Sequence, residues 1–369
     1  MKILHICQRD DPAEGGAVRV AVEYVKLLPE YQVDAHCLFL YGSPGSFQQE
    51  LGDRAHYLEI DSSRQFWKFD RLITFLKKFQ PDIIHHHDSL LWSNLLTFFH
   101  PGIIKIAHAH LCANNLSGKL RGLIAAWIQR QSTDFLICIT KDTQNSHITV
   151  GGYQRERTKV IYNGIDYKCF YPGSLKVQQQ ARDRLGLPQE ALVVGYVGRL
   201  DCTMKGADDF LKTFALLPDN FYALVVGDGC DREYLQQLTQ TLNITDRVIF
   251  TGVLTQTRIA YHAMNVFCFT SHWEHFGLVV AEAIACQVPV VGFKCIGGVN
   301  ELLANTNCKL ISPRNHQLLA QNIIEITQNP EGKLNQQKKA NQILKQNYDW
   351  RKNTSYLKTL YQDLIAQKI

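Results

Sequence analysis

Short apolar runs rich in β-branched residues alternate with stretches of helical spacing along the chain, the sequence habit of a parallel sheet with crossover helices. In the first half, residues 3–7, 33–41, 82–86, 103–108 and 135–139 read as strands. A second series reads so at 192–197, 222–226, 247–251, 266–269 and 288–293. Between the two, residues 166–190 carry Pro172, Gly173, Gly186 and Pro188 in a polar, helix-poor opening, which places a domain join there. After Asn329 the spacing is helical to the end, with Trp350, Tyr356, Leu357, Leu360, Tyr361 and Leu364 in phase. The pattern predicts an α/β protein of two open, doubly wound, Rossmann-like domains, 1–165 and 191–349, joined by a linker at 166–190. A final helix, 350–369, is expected to cross back onto the first domain. Two such domains facing each other would leave an interdomain cleft bordered by strand C-termini, where open α/β sheets bind their ligands.

Composition narrows this picture. With 369 residues, 46% of them hydrophobic and 20% charged, the chain can bury more than one core. A formal charge of +5, from 39 basic and 34 acidic residues, is too balanced for a protein that mainly neutralises nucleic acid, so no nucleic-acid partner is expected. Eleven cysteines lie scattered in apolar stretches with no Cys-x-x-Cys, as expected of reduced core residues in a cytoplasmic protein. The apolar run after Lys2 is too short for a signal peptide, and no run approaches the ~18 apolar residues of a membrane span.

The most informative chemistry lies at 271–285, SHWEHFGLVVAEAIA, directly after the strand 266–269. Glu274 falls in the strand-to-helix loop and Glu282 in a helix starting near Phe276; eight positions apart, they are expected about two turns apart on nearly one helix face. Gly277 at the helix N-terminus permits close backbone approach, and such a terminus suits an anion such as a diphosphate. Glu282, deeper in the helix, could accept hydrogen bonds from ribose hydroxyls. Its apolar neighbours imply burial, where a carboxylate needs a partner.

This segment resembles the Glu-x7-Glu signature of retaining GT-B glycosyltransferases, in particular the large family 4, and the resemblance runs over essentially the whole chain. Gly15-Gly16-Ala17-Val18-Arg19 resembles that family's glycine-rich loop after the first strand, and Asn163-Gly164-Ile165-Asp166 its segment before the interdomain linker. Gly198-Arg199-Leu200 with Lys205-Gly206 resembles the basic pair set on the donor diphosphate. Gly227-Asp228-Gly229 and Gly297-Gly298-Val299-Asn300-Glu301 resemble two further glycine turns. The resemblance implies a GT-B fold and transfer of a sugar, with retention, from a nucleotide diphosphate donor, by default a UDP-sugar. It implies a saccharide or lipid-linked saccharide acceptor, as in the assembly of bacterial surface glycans. Arg199, Lys205 and Glu274 are then expected at the reacting centre, with Gly15, Gly16, Gly198, Gly227, Phe276, Gly277, Leu278 and Glu282 around the donor. Cationic side chains fixed on the leaving diphosphate would stabilise the growing charge. The sequence has no Asp-x-Asp, so neither metal nor cofactor is expected.

Histidines gather at two strand ends, His85, His86 and His87 at one and His108 and His110 at the next. The cluster invites a zinc reading, but neither a cysteine pair nor a His-x-x-x-His helix accompanies it. The resemblance instead sets His110 against the transferred sugar; His87 could line the same wall or be an ordinary strand-end residue. Two basic-aromatic runs, 64–78 and 119–130, fit either an anionic lipid surface, which would make the protein peripheral at the inner membrane face, or core helices with a solvated side. Other readings stay open: a GT-B phosphorylase or epimerase, or a nucleotide-sugar-binding scaffold without turnover. A dinucleotide dehydrogenase lacks its third helix-opening glycine.

Overall fold

The computed structural model describes residues 1–11, 15–60, 69–87, 102–113, 120–304, 306 and 308–368. The chain divides into two compact units, Met1–Gly164 with Trp350–Ile369, and Ile165–Asp349. Among the described residues the first unit builds seven strands: β1 (Lys2–Arg9), β2 (Asp34–Tyr41), β3 (Ala55–Ile60), β4 (Ile83–His86), β5 (Ile104–Ala109), β6 (Phe135–Cys138) and β7 (Thr158–Val160). They form one parallel sheet in the order β3-β2-β1-β4-β5-β6-β7. β1, β4 and β5 are buried almost throughout, which is why they read as continuous apolar runs.

The last helix, Trp350–Lys368, belongs to this first unit. Trp350, Leu357, Leu360 and Tyr361 recur on one stripe, and all four sit in the core made by β1, β2, β4 and the helix Gly16–Leu27. Burying such large side chains contributes about 2 kcal/mol each. Trp350 meets Tyr24 edge-on at 5.1 Å, and Tyr361 is fully buried.

The second unit holds β8 (Leu192–Val197), β9 (Phe221–Val226), β10 (Val248–Gly252), β11 (Val266–Phe269), β12 (Val290–Phe293) and β13 (Lys309–Ile311). They too form a parallel sheet, in the order β10-β9-β8-β11-β12-β13. Each sheet reverses its strand order once, at β1/β4 in the first unit and at β8/β11 in the second, as a doubly wound fold does.

Two expectations need correction. Residues 166–190 are more than a linker: they contain the helix Leu175–Leu185, capped by Ser174 and closed by Gly186, and they belong to the second unit. Its docking is hidden from an apolar pattern because the buried group is Arg182, whose guanidinium bonds Ala263 O at 3.2 Å and Asn265 Oδ1 at 2.7 Å. The sequence pattern also omits β3, β7 and β13. All three are sheet edges, partly exposed, and two have only three residues, so none supplies an unbroken apolar run.

Candidate functional site

In the second unit, the loops after β8 and β11 leave the sheet where its strand order reverses. After β8 comes a short helix, Cys202–Lys205, whose N-cap Asp201 accepts from Met204 N at 2.9 Å. Gly206 then turns with φ +59, and a Cβ there would collide with the Thr270 carbonyl, so the residue after Lys205 must be glycine. The loop after β11 is stitched to this segment: His272 N and Trp273 N both donate to Met204 O, at 2.9 and 3.2 Å, and Thr270 Oγ1 donates to Gly206 O at 2.8 Å. This stitching brings Lys205 Nζ to 2.6 Å from Glu274 Oε2. Both side chains keep some access to solvent, 23% and 17%, so the pair is screened only in part and remains reachable by a ligand.

A second brace lies behind the pair. The Asp209 carboxylate is buried and accepts from His272 Nε2 at 2.6 Å and from His316 Nε2 at 2.9 Å. Burial alone would raise its pKa, but the two imidazole hydrogen bonds outweigh it and hold the carboxyl below its usual range. His272 Nδ1 bonds Thr203 O at 3.0 Å, so one ring ties the β11 loop to both the Cys202–Lys205 helix and Asp209. Sequence reasoning missed Asp209 and His316. An aspartate in the first turn of a helix reads as a macrodipole partner, and nothing in the spacing links it to His316.

Gly277, with φ +83, caps the helix Leu278–Ala285, and a Cβ there would press on Val299. The helix thus begins four residues after Glu274. Glu274 and Glu282 therefore do not share a helix face, contrary to the expectation from their spacing; each has its own partner. Glu282 Oε2 accepts from Tyr261 Oη at 2.8 Å, and that buried phenol has its pKa pushed well up by desolvation and then by the carboxylate. Tyr261 supplies the partner that the apolar surroundings of Glu282 demanded. The Phe276 ring is buried edge-on to Tyr348 at 5.7 Å, so only its backbone remains to offer a ligand, while Leu278 opens the helix half-buried. Gly198 and Gly227 follow β8 and β9 and lie close, Gly198 N donating to Val226 O at 3.0 Å. Arg199 is not drawn into the Lys205–Glu274 pair: its guanidinium is 55% exposed and lies 3.4 Å from Asp201.

In the first unit, parallel pairing sets His5 beside His85, and the two-residue period puts His85, His87, His108 and His110 on the same face. The rings form one layer: His5–His85 4.8 Å, His85–His87 4.5 Å, His85–His108 5.2 Å and His108–His110 4.4 Å between centroids. Tyr361 from the final helix closes it, its hydroxyl 2.6 Å from His85 Nδ1. Desolvation drives the pKa of His5 down to about 3 and those of His85, His87 and His108 well below 6.5, so these imidazoles are neutral. Nitrogens of His87, His108 and His110 come within 4.8 Å of one another, as do those of His5, His85 and His87. A metal must lie in the plane of each ring that binds it. His108 and His110 stack with only 19° between planes, and cannot aim at one ion as they stand. Gly15, with φ +106, caps the helix Gly16–Leu27 near the first switch point; residues 12–14 of that loop lie outside the described residues.

Of the basic-aromatic runs, residues 64–68 and Lys119 also lie outside the described residues. The helix Phe69–Phe79 buries Leu72 and Leu76 and packs Phe75 and Phe79 against the sheet, so this part is a core helix. The helix Leu120–Gln131 differs, with Ile124 48% and Trp127 57% exposed. No helix among the described residues is long and apolar enough to cross a membrane.

A family model described as Glycosyltransferase Family 4 matches residues 14–168, and one described as Glycosyl transferases group 1 matches 177–347. The chain is 29% identical over 241 residues to a D-inositol 3-phosphate glycosyltransferase of Acidothermus cellulolyticus, covering 59% of this chain and 53% of that protein. With the Mycobacterium marinum protein of the same name it shares 35% over 174 residues, 45% of this chain and 36% of the relative. The chain thus spans about half or less of the length of these relatives. Among solved structures, Anabaena HepE in complex with UDP-glucose superimposes with a TM-score of 0.86 at 24% identity, covering 98% of this chain and all of that one. Sucrose-phosphate synthase from Thermosynechococcus elongatus gives 0.82 at 21%, covering 99% of each. The fold is GT-B, with two Rossmann-like domains, and the chain belongs to the family 4-like, group 1 glycosyltransferases.

Proposed function

We propose that this protein transfers a sugar, with retention and without a metal, from a nucleotide diphosphate donor to a saccharide or lipid-linked saccharide. The observation that carries the reading is the Lys205–Glu274 pair at the β8/β11 switch point, beside the N-terminus of the helix Leu278–Ala285. When the anomeric bond breaks, negative charge grows on the diphosphate oxygens. An ammonium fixed at that place, the positive end of the helix Leu278–Ala285, and the nearby Arg199 guanidinium stabilise that charge. Glu274 positions Lys205 and, as the bond breaks, faces the sugar end of the donor. Glu282, steadied by Tyr261, takes the ribose hydroxyls. Gly198 and Gly227 let the backbone approach the donor, and Gly15 and Gly16 give the first unit's switch-point loop the same freedom. His110 meets the transferred sugar.

Retention follows if a donor phosphate oxygen takes the acceptor proton on the face the leaving group vacates. That the Anabaena neighbour was crystallised with UDP-glucose supports uridine as the base. The exposed Ile124 and Trp127 support a place for a lipid-linked acceptor at the cytoplasmic membrane face, in surface-glycan assembly. Incubation with UDP-sugars in EDTA, with the product anomer assigned by proton NMR, tests the reading. Release of UDP and a product of the donor's own anomeric configuration are expected; an inverted product, or transfer that needs added magnesium or manganese, contradicts it.

A further inference from the structure

His5, His87 and His110 form a continuous hydrogen-bonded chain of imidazoles. His5 Nδ1 lies 2.8 Å from His87 Nε2, and His87 Nδ1 lies 3.2 Å from His110 Nε2. A neutral imidazole has one N–H and one lone pair, so the direction of one bond fixes every tautomer along the chain. Two directions exist. If the protons point inward, His110 donates from Nε2, His87 donates from Nε2, and His5 must carry its proton on its own Nε2. If they point outward, His5 donates from Nδ1, His87 donates from Nδ1, and His110 accepts at Nε2.

The buried end decides between them. His5 is fully buried and its Nε2 has no hydrogen-bond partner. The inward direction would leave an orphaned N–H there, whereas the outward one leaves only a bare lone pair, which folded proteins tolerate better. The layer already holds unpartnered nitrogens at His85 Nε2 and at both positions of His108, and the outward direction adds no orphaned N–H at His5. We propose that His87, itself oriented by His5, holds His110 in its Nδ1–H tautomer, with Nε2 engaged as an acceptor.

Burial keeps His5 and His87 neutral at pH 7, so each ring has a single proton to place. In water a free imidazole side chain favours the other tautomer, Nε2–H, so the chain imposes a choice that His110 would not make alone. The inference rests on the proposed function only for its use: a sugar hydroxyl at His110 would accept from Nδ1 and find Nε2 already occupied. His87 and His5 are positioning residues, acting through His110.

The test is the tautomer itself, read from long-range proton–nitrogen correlations of 15N-histidine in the intact protein at pH 7.5. The His110 signals are assigned by their loss in His110→Gln. The expected spectrum has a protonated Nδ1 and a pyridine-type Nε2 at His110, and reversal to Nε2–H in His87→Leu. A wild-type His110 protonated at Nε2 overturns the proposal without any variant; so does an Nδ1–H pattern that survives in folded His87→Leu. No substrate enters this measurement. Turnover of His110→Gln separately tests whether His110 meets the sugar.

Discussion

Glu274 and Glu282 look equivalent as letters eight apart, yet the structure gives them unlike partners, an ammonium and a phenol. Their removal should therefore differ. Glu274→Gln keeps the shape of the loop but leaves Lys205 without its anion, and should lower kcat by about 100-fold with little change in donor KM. Glu282→Gln loses only a contact made equally before and during reaction, so it should raise donor KM several-fold and spare kcat. Steady-state kinetics on variants shown to be folded reads both; the two glutamates showing the same signature would contradict the division. At this scale the sequence announced Glu274, Glu282, Lys205 and the glycines, because glycine and charge at fixed offsets after a strand are a local signal. It could not announce Tyr261, Asp209 or His316. These residues reach the site by packing between elements distant in the chain, and a phenol or carboxylate on a helix has many ordinary uses.

Among the elements, the strands that the pattern omits are all edges, although one edge, β10, is legible from its apolar run Val248–Phe250. Strands buried on both faces, such as β1 and β11, write continuous apolar runs, whereas β3, β7 and β13, each paired on one side only, do not. The helix Leu175–Leu185 escaped notice because it docks through Arg182 rather than through an apolar stripe. The basic-aromatic helices separate by burial. Phe69–Phe79 spends its apolar face on the sheet, but Leu120–Gln131 exposes Ile124 and Trp127, and Leu111 is also exposed. Vesicles of anionic lipid should therefore co-sediment the protein at low salt, less at 0.5 M salt, and several-fold less after Trp127→Ser. Undiminished binding by Trp127→Ser, or equal binding to neutral vesicles, would assign the attachment elsewhere.

For the molecule as a whole, the histidine layer makes the two units unequal in acid. His5, His85, His87 and His108 are held neutral by burial, with folded pKa values below the ordinary 6.5. Below pH 6.5 the unfolded chain takes up these protons and the folded unit does not. Stability is thus fully present above that pH and is lost on acidification toward the folded values, by up to about 1.4 kcal/mol per pH unit for each imidazole. Between pH 7.5 and 5.5, hydrogen-exchange protection of β1, β4 and β5, corrected for intrinsic rates, should fall further than that of β8 and β9, whose unit also holds an imidazole, His262, with its pKa lowered by burial; equal behaviour of the two sheets would contradict this. Two parallel sheets and a returning final helix were legible because strand and helix periods alternate along the whole chain. The proposed chemistry turns on the ammonium of Lys205 stabilising the departing diphosphate. The most direct measurement is kcat for transfer from a UDP-sugar by Lys205→Ala, in EDTA and at saturating donor. A fall of about 100-fold or more in a folded variant is the expected result; turnover near that of the unaltered protein would show that the leaving group is held elsewhere.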